Sequence, residues 1–299
     1  MEAMREAFRS LGGGTAVQPA QTLTLLPQGA GDFITYLGVL AEAKVFGAKL
    51  SPYLSRAGGG LVTAWTVLMS METGQPLLLC DSKQLTVERT AATTALAVDL
   101  LAPQSAARLS VIGAGSVAKA HIRHLRRLRQ WRDIRIYSRN VSRFSECGEV
   151  MALIDDRIQL ETTLYRAIDD ADVVCLCTSS GTAIIDPVNL RKPALITSIS
   201  TNAPKAHEVP PGSLRDMDVY CDYRVTTPSC AGEMQLAVAE YGWSASSVVG
   251  DLPELTTGSA ALPSYGRHAF FRSLGLGLED VAMAHALQHL VQSDNDSRN

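Results

Sequence analysis

Residues 111–124 read VIGAGSVAKAHIRH, a short apolar run that breaks at Gly113-x-Gly115-x-x-Ala118 and continues as a helical pattern. This is the spacing of a strand, turn and helix that hold a dinucleotide. Gly113 permits the tight turn, Gly115 keeps a side chain from standing between backbone and pyrophosphate, and Ala118 lets the helix pack close to the strand. The N–H groups at the helix start, near Ser116 and Val117, would carry the pyrophosphate together with the positive end of the helix dipole. An apolar strand at 109–112 and a second at 134–137 frame the unit and give the glycine pattern its meaning.

The tip of that second strand chooses between the nicotinamide dinucleotides. A carboxylate there would hydrogen-bond the ribose 2′-hydroxyl of NAD, but the residues present are Ser138, Arg139 and Asn140. A hydroxyl, a guanidinium and an amide suit a 2′-phosphate that a carboxylate would repel. NADPH is therefore expected, with NADH the lesser alternative. Further strands at 172–178 and 194–199 end in small polar residues, Thr178, Ser179 and Ser200 among them, where open α/β sheets bind their ligands.

The chain has 299 residues, 46% of them hydrophobic and 19% charged, which is enough for two cores. A net charge of −3 offers no attraction to nucleic acid or to an acidic membrane, so neither partner is expected. The basic run RHLRRLRQWR at 123–132 reads as a solvated helix end, where cations complement the dipole. No apolar stretch is long enough to span a membrane and MEAMREAFRS lacks a signal-peptide core, which predicts a cytoplasmic protein. The six cysteines form no C-x-x-C pair and read as reduced thiols, with Cys175 and Cys177 packing in a buried strand and no metal site. His121 and His124 read as solvated or packing residues, and the polar tail at 293–299 as disordered. The chain opens directly on a helix, as though a leading strand were absent.

The first hundred residues are of another kind. Strand-like runs at 22–26, 32–40, 45–50, 61–69 and 76–80, parted by Gly and Pro, predict an antiparallel or mixed sheet. An Ala-rich helix over 86–101 follows, with Thr86 as its cap and Pro103 beyond its end. Two cations stand out. Lys49 falls inside an apolar strand, and Arg89 in the first turn of a helix, where the dipole disfavours it. Both are explained if they converge on an anion as a carboxylate clamp. The competing reading puts Lys49 at a strand edge and pairs Arg89 with Glu88 or Asp81.

The order G-A-K-L-S (47–51), E-T-G-x-P (72–76), V-E-R-T-A-A (87–92), V-I-G-A-G (111–115), A-P-K-x-x-E-V (203–209), G-E (232–233) and F-R-S-L-G-L-G-L-E-D (271–280) resembles the ornithine cyclodeaminase/μ-crystallin family. The likeness covers nearly the whole chain. It implies an α/β fold with a Rossmann NADP-binding domain at 106–267. An α+β substrate-binding and dimerisation domain would be built from 1–105 with 268–299, giving a homodimer. By resemblance, Lys49 and Arg89 fall on the substrate-carboxylate positions. Two departures bear on the reaction. Cyclodeaminases of the family carry an aspartate in a D-A-P-G-K-like stretch, where this chain has Asn202-Ala203-Pro204-Lys205, and an amide is no base. Gln21 stands where many relatives have an arginine.

The pattern is most similar to the family's ketimine reductases. It implies NADPH-dependent reduction of a small cyclic imino acid, Δ1-pyrroline-2-carboxylate to L-proline, with Δ1-piperideine-2-carboxylate to L-pipecolate beside it. Lys49 and Arg89 would fix the carboxylate and Asn202 would face the imine nitrogen. Ser273 and Gly275 would approach the nicotinamide, with His207 behind the site. The alternatives are ornithine cyclodeamination, an amino-acid or opine-type dehydrogenase, and a non-enzymatic NADPH-dependent binding protein.

Overall fold

Alternation of inward and outward residues organises the N-terminal part of the chain. In the computed structural model, which describes residues 1–139, 151, 153–200 and 205–296, helix α1 (Glu2–Gly12) precedes strands β1 (Ala16–Val17), β2 (Thr22–Leu25), β3 (Gly31–Leu40), β4 (Val45–Leu54), β5 (Leu61–Val62), β6 (Trp65–Ser70) and β7 (Pro76–Asp81). They form an antiparallel sheet in the order β1-β3-β4-β6-β7, with β2 added on β3 and β5 on β4. The run expected at 61–69 is two strands, because the Thr63 N–H turns to the Pro52 carbonyl at 3.2 Å.

One face of this sheet is covered by the last helix, α4 (Gly277–Asp296). The approach is close because Gly38 and Gly47, paired across β3 and β4, have no side chains. A Cβ on Gly38 would stand 2.7 Å from the Leu278 Cα. Tyr36, Lys49 and Thr66, also in register, share this buried face. The opposite face presents the row Leu37, Ala48, Val67 and Leu79, with Leu79 69% exposed. Helix α4 continues to Asp296, so the tail expected to be disordered from 293 is helical that far.

Helix α2 (Lys83–Leu101) begins three residues before its expected start. Asp81 is the reason: its Oδ1 accepts the Lys83 N–H at 2.9 Å, while the Thr86 N–H donates to the Ser82 carbonyl inside the first turn. Thr86 is therefore not the cap, and Arg89 lies in the second turn, beyond the strongest part of the dipole.

The second unit is a wholly parallel sheet in the order β10-β9-β8-β11-β12-β15-β13-β14. Its strands are β8 (Arg108–Ile112), β9 (Asp133–Tyr137), β10 (Ile158–Leu160), β11 (Val173–Leu176), β12 (Leu195–Ser198), β13 (Asp218–Cys221), β14 (Val248–Asp251) and β15 (Ala269–Arg272). Helix α3 (Ser116–Leu125) follows β8. Strand order reverses on either side of β8, which opens a crevice at the strands' carboxyl ends.

The compact units are Met1–Arg89 with Gly275–Asn299, and Thr90–Leu274. They change over inside α2 and after β15, not at 105/106 and 267/268. The physical reason at the second boundary is β15, four fully buried residues hydrogen-bonded between β12 and β13.

The basic run is not simply solvated. Arg129, 3% exposed at its side chain, donates to the carbonyls of Asp99 (2.9 Å), Ala102 (2.9 Å) and Pro103 (3.1 Å) and so caps the carboxyl end of α2. His121 is a packing residue: it is buried, its Nδ1 lies 2.8 Å from the Val117 carbonyl oxygen, and burial pushes its pKa down to about 4. Cys175, Cys177 and Cys221 are buried and free; Cys147 lies outside the described residues. No described helix is long and apolar enough to cross a membrane.

Candidate functional site

The glycine turn opens into a cleft of about 490 Å³ at the tips of β8, β9, β11 and β12. It brings together Gly113, Gly115, Ser116 and Val117 from the turn and α3, Ser138 and Arg139 from the tip of β9, and Thr178, Ser179 and Ser200 from the tips of β11 and β12. All nine are residues in which the sequence reading sees cofactor contacts. Tyr137, Cys177, Ile184 and Ile199 add apolar walls that the motif alone does not reveal.

Local geometry fits a dinucleotide. Gly113 has φ +132°, and a Cβ there would lie 2.4 Å from the Cys177 carbonyl oxygen, so only glycine turns the chain here. A Cβ on Gly115 would meet nothing within 4 Å, which leaves the backbone open to a phosphate. The N-cap residue of α3, Gly115, has no side chain to cap the helix, which suits its amino end to an anion.

Arg139 is exposed at the rim. Its replacement by alanine is expected to erase most of a preference for NADPH over NADH, a change of about 1.5–3 kcal/mol in relative binding. Equal affinity of the unmutated protein for both cofactors, measured by fluorescence titration, would overturn that role. Asn140 lies outside the described residues. Ser273 is not among the residues lining the cleft. It is buried with its Oγ 3.5 Å from Asp222 Oδ2, and Asp222 also accepts the Leu274 N–H at 2.6 Å.

In the other unit Lys49 and Arg89 do converge. Lys49 is 2% exposed and Arg89 5% exposed. Lys49 Nζ stands 4.1 Å from the centre of the Tyr36 ring and 2.9 Å from Asp280 Oδ2. Arg89 donates through Nε to Asp280 Oδ1 and through Nη1 to Glu279 Oε2, each at 3.0 Å. The acids are not Glu88 or Asp81, and Lys49 is at no strand edge: β4 is flanked by β3 and β6. Gly275, with φ +87°, lies beneath the guanidinium, and a Cβ there would come within 2.2 Å of Arg89 Nη1. Its place is thus beside the clamp.

Two cations and two carboxylates share this buried cluster. Burial lowers the Lys49 pKa to about 8 against the opposing pull of Asp280, while Arg89 also acts to lower it. For Arg89 burial opposes the charge, but Asp280 and Glu279 outweigh it and raise the pKa, keeping the guanidinium charged. A third negative group, a substrate carboxylate, would upset the balance unless the substrate carried a positive charge of its own. An iminium carboxylate does.

Asn202 lies outside the described residues, as does Thr201. His207 Nδ1 is 2.8 Å from the Lys205 carbonyl oxygen in a local turn. Sequence reading overlooked Glu279, Asp280 and Glu208 as functional groups. Their only signal was position: the Glu-Asp that ends the 271–280 motif and the Glu in the 203–209 motif.

The sequence profile of the ornithine cyclodeaminase/mu-crystallin family matches residues 1–295. The chain is 56% identical over 293 residues to an NAD(P)H-dependent anabolic L-arginine dehydrogenase of Pseudomonas aeruginosa, covering 98% of this chain and 92% of that protein. It is 25% identical over 224 residues to a Δ1-pyrroline-2-carboxylate reductase of Colwellia psychrerythraea, covering 74% and 71%. In fold it resembles the Δ1-pyrroline-2-carboxylate reductase of Thermococcus litoralis, solved with NADH and L-proline. The TM-score is 0.86 at 21% identity, over 96% of this chain and 92% of that one.

Proposed function

This chain belongs to the ornithine cyclodeaminase/mu-crystallin family, and we propose that it is an NAD(P)H-dependent oxidoreductase that reduces the C=N bond of a 2-imino carboxylate, the imine of the 2-oxo acid of arginine, to L-arginine. The observation that carries the reading is the 56% identity to the arginine dehydrogenase, sustained over 98% of the chain. A bound nicotinamide cofactor would supply the hydride at its C4, and the imine carbon C2 would receive it.

The residues of this chain hold and orient. Gly113, Gly115 and the start of α3 carry the pyrophosphate, with the adenosine half toward β9 and Arg139 and the nicotinamide half toward Thr178 and Ser200. Arg89 and Lys49 hold the substrate carboxylate, while Asp280 and Glu279 keep the clamp from binding anions that lack a compensating cation. Hydride addition to a protonated C=N leaves a neutral amine, so no base is needed to activate water. Asn202, in place of an aspartate, is compatible with that and unsuited to hydrolytic deamination. Buried free cysteines suit a reducing compartment such as the cytoplasm.

A second reading, reduction of Δ1-pyrroline-2-carboxylate to L-proline, has support in the 25% identical reductase. NADPH oxidation with the 2-oxo acid of arginine plus ammonia, set against oxidation with Δ1-pyrroline-2-carboxylate, separates the two. The arginine imine should be preferred at least about tenfold in kcat/KM. A reversed preference replaces it with the cyclic imine, and no oxidation with either sinks the reaction class.

We also propose a homodimer through the outer sheet face, where Leu37, Leu79 and Trp65 are exposed. Light scattering should give twice the chain mass, and Leu79→Asp should shift it toward monomer. A monomer in the unmutated protein would contradict the interface.

A further inference from the structure

At the nicotinamide end of the cleft, one buried acid holds the pieces of the wall together. Glu208 is fully buried. Its Oε1 accepts the Thr178 N–H at 3.0 Å and the Thr178 hydroxyl at 2.6 Å, and its Oε2 accepts the Ser200 N–H at 2.9 Å and the Ser198 hydroxyl at 2.7 Å. Its backbone carbonyl accepts the Ile184 N–H at 2.8 Å. Thr178, Ile184 and Ser200 all line the cleft, the first two from the connection after β11 and the third from the tip of β12. The acid itself does not line it.

We propose that Glu208 is a positioning residue for the nicotinamide half of the cofactor, fixing Thr178, Ser200 and Ile184 from behind; this rests on the nucleotide reading of the cleft. Each carboxylate oxygen accepts one backbone N–H, and a backbone N–H has no second rotamer. A carboxylate satisfies both. An amide cannot, because its NH₂ would face either the Thr178 or the Ser200 N–H and leave it unpaired. The hydroxyls obey the same logic: with its proton committed to Glu208, Thr178 Oγ1 accepts the Ser180 N–H at 3.2 Å, so its orientation in the wall is set. Ser200, at φ +32°, is in a backbone conformation that a non-glycine residue keeps only when its surroundings demand it, and the bond to Glu208 is one such demand.

The test uses two ligands that differ only in the nicotinamide. NADPH and 2′-phospho-ADP-ribose, which lacks that ring, are titrated against the unmutated protein and Glu208→Gln. The expected result is NADPH affinity about tenfold weaker in the variant, with 2′-phospho-ADP-ribose changed less than about twofold. Equal weakening of both ligands, or none of either, overturns the inference. Failure of the unmutated protein to bind either overturns the cleft reading first and this inference with it. Should Glu208→Gln not fold, Ser198→Ala removes one donor to the carboxylate without touching the cleft. It should weaken NADPH about threefold and spare the shorter ligand, and an unchanged ratio there is equally fatal.

Discussion

Arg89→Ala is expected to abolish most of the activity and to destabilise the fold at the same time. The guanidinium faces two buried acids, Glu279 and Asp280, and truncation removes one cation from a cluster that holds two carboxylates. Removing one member of a buried ionic network costs about 3–5 kcal/mol, so the melting temperature should fall. Arg89→Lys separates function from stability. It retains a positive charge but lacks the planar fork, and kcat/KM should fall about 10- to 100-fold, chiefly through KM, because the carboxylate is held alike in ground and transition states. Intact kcat/KM in Arg89→Lys, together with a normal melting temperature, would remove Arg89 from the clamp.

The second large effect concerns Lys49 and carries a pH signature. Burial brings its pKa down to about 8. Below that pH the group is an ammonium that can hold the carboxylate or give up a proton; above it the amine is neutral and can do neither. In the reductive direction kcat/KM should therefore fall as pH rises through about 8. Lys49→Met should lose about 100-fold in rate and the descending limb near pH 8 with it, kcat falling as well as KM rising. A limb that persists in the variant belongs to another group, and the role assigned to Lys49 then fails.

How far the site was legible follows from how local its determinants are. The glycine turn, the strand before it and the helix after it lie within eighteen residues, and their spacing alone predicts a cleft at Gly113, Gly115 and Ser116. Lys49 is visible as a charge interrupting an apolar strand. Its partner is not, because Asp280 is 231 residues away and no periodicity links the two. Arg89 suffered the same way, and its helix position was misplaced because the cap at Asp81 precedes the apolar pattern by several residues. Arg129 looks like any surface cation until α2 ends beside it. β15 is four residues long and reads as a link to the last helix, although it completes the parallel sheet. The proposed reaction class draws on two features the sequence displays, the pair of buried cations and the amide Asn202. The choice between an arginine imine and a cyclic one is not legible, since a carboxylate clamp answers to a group that both substrates carry.

In the proposed reaction a hydride passes from the cofactor to C2 of an imino carboxylate. The most direct test is mass spectrometry of the amino acid formed from the 2-oxo acid of arginine, ammonia and NADPH deuterated at both C4 positions. One deuterium at C2 of L-arginine is the predicted result. Unlabelled arginine, or no arginine with the NADPH left intact, would contradict it.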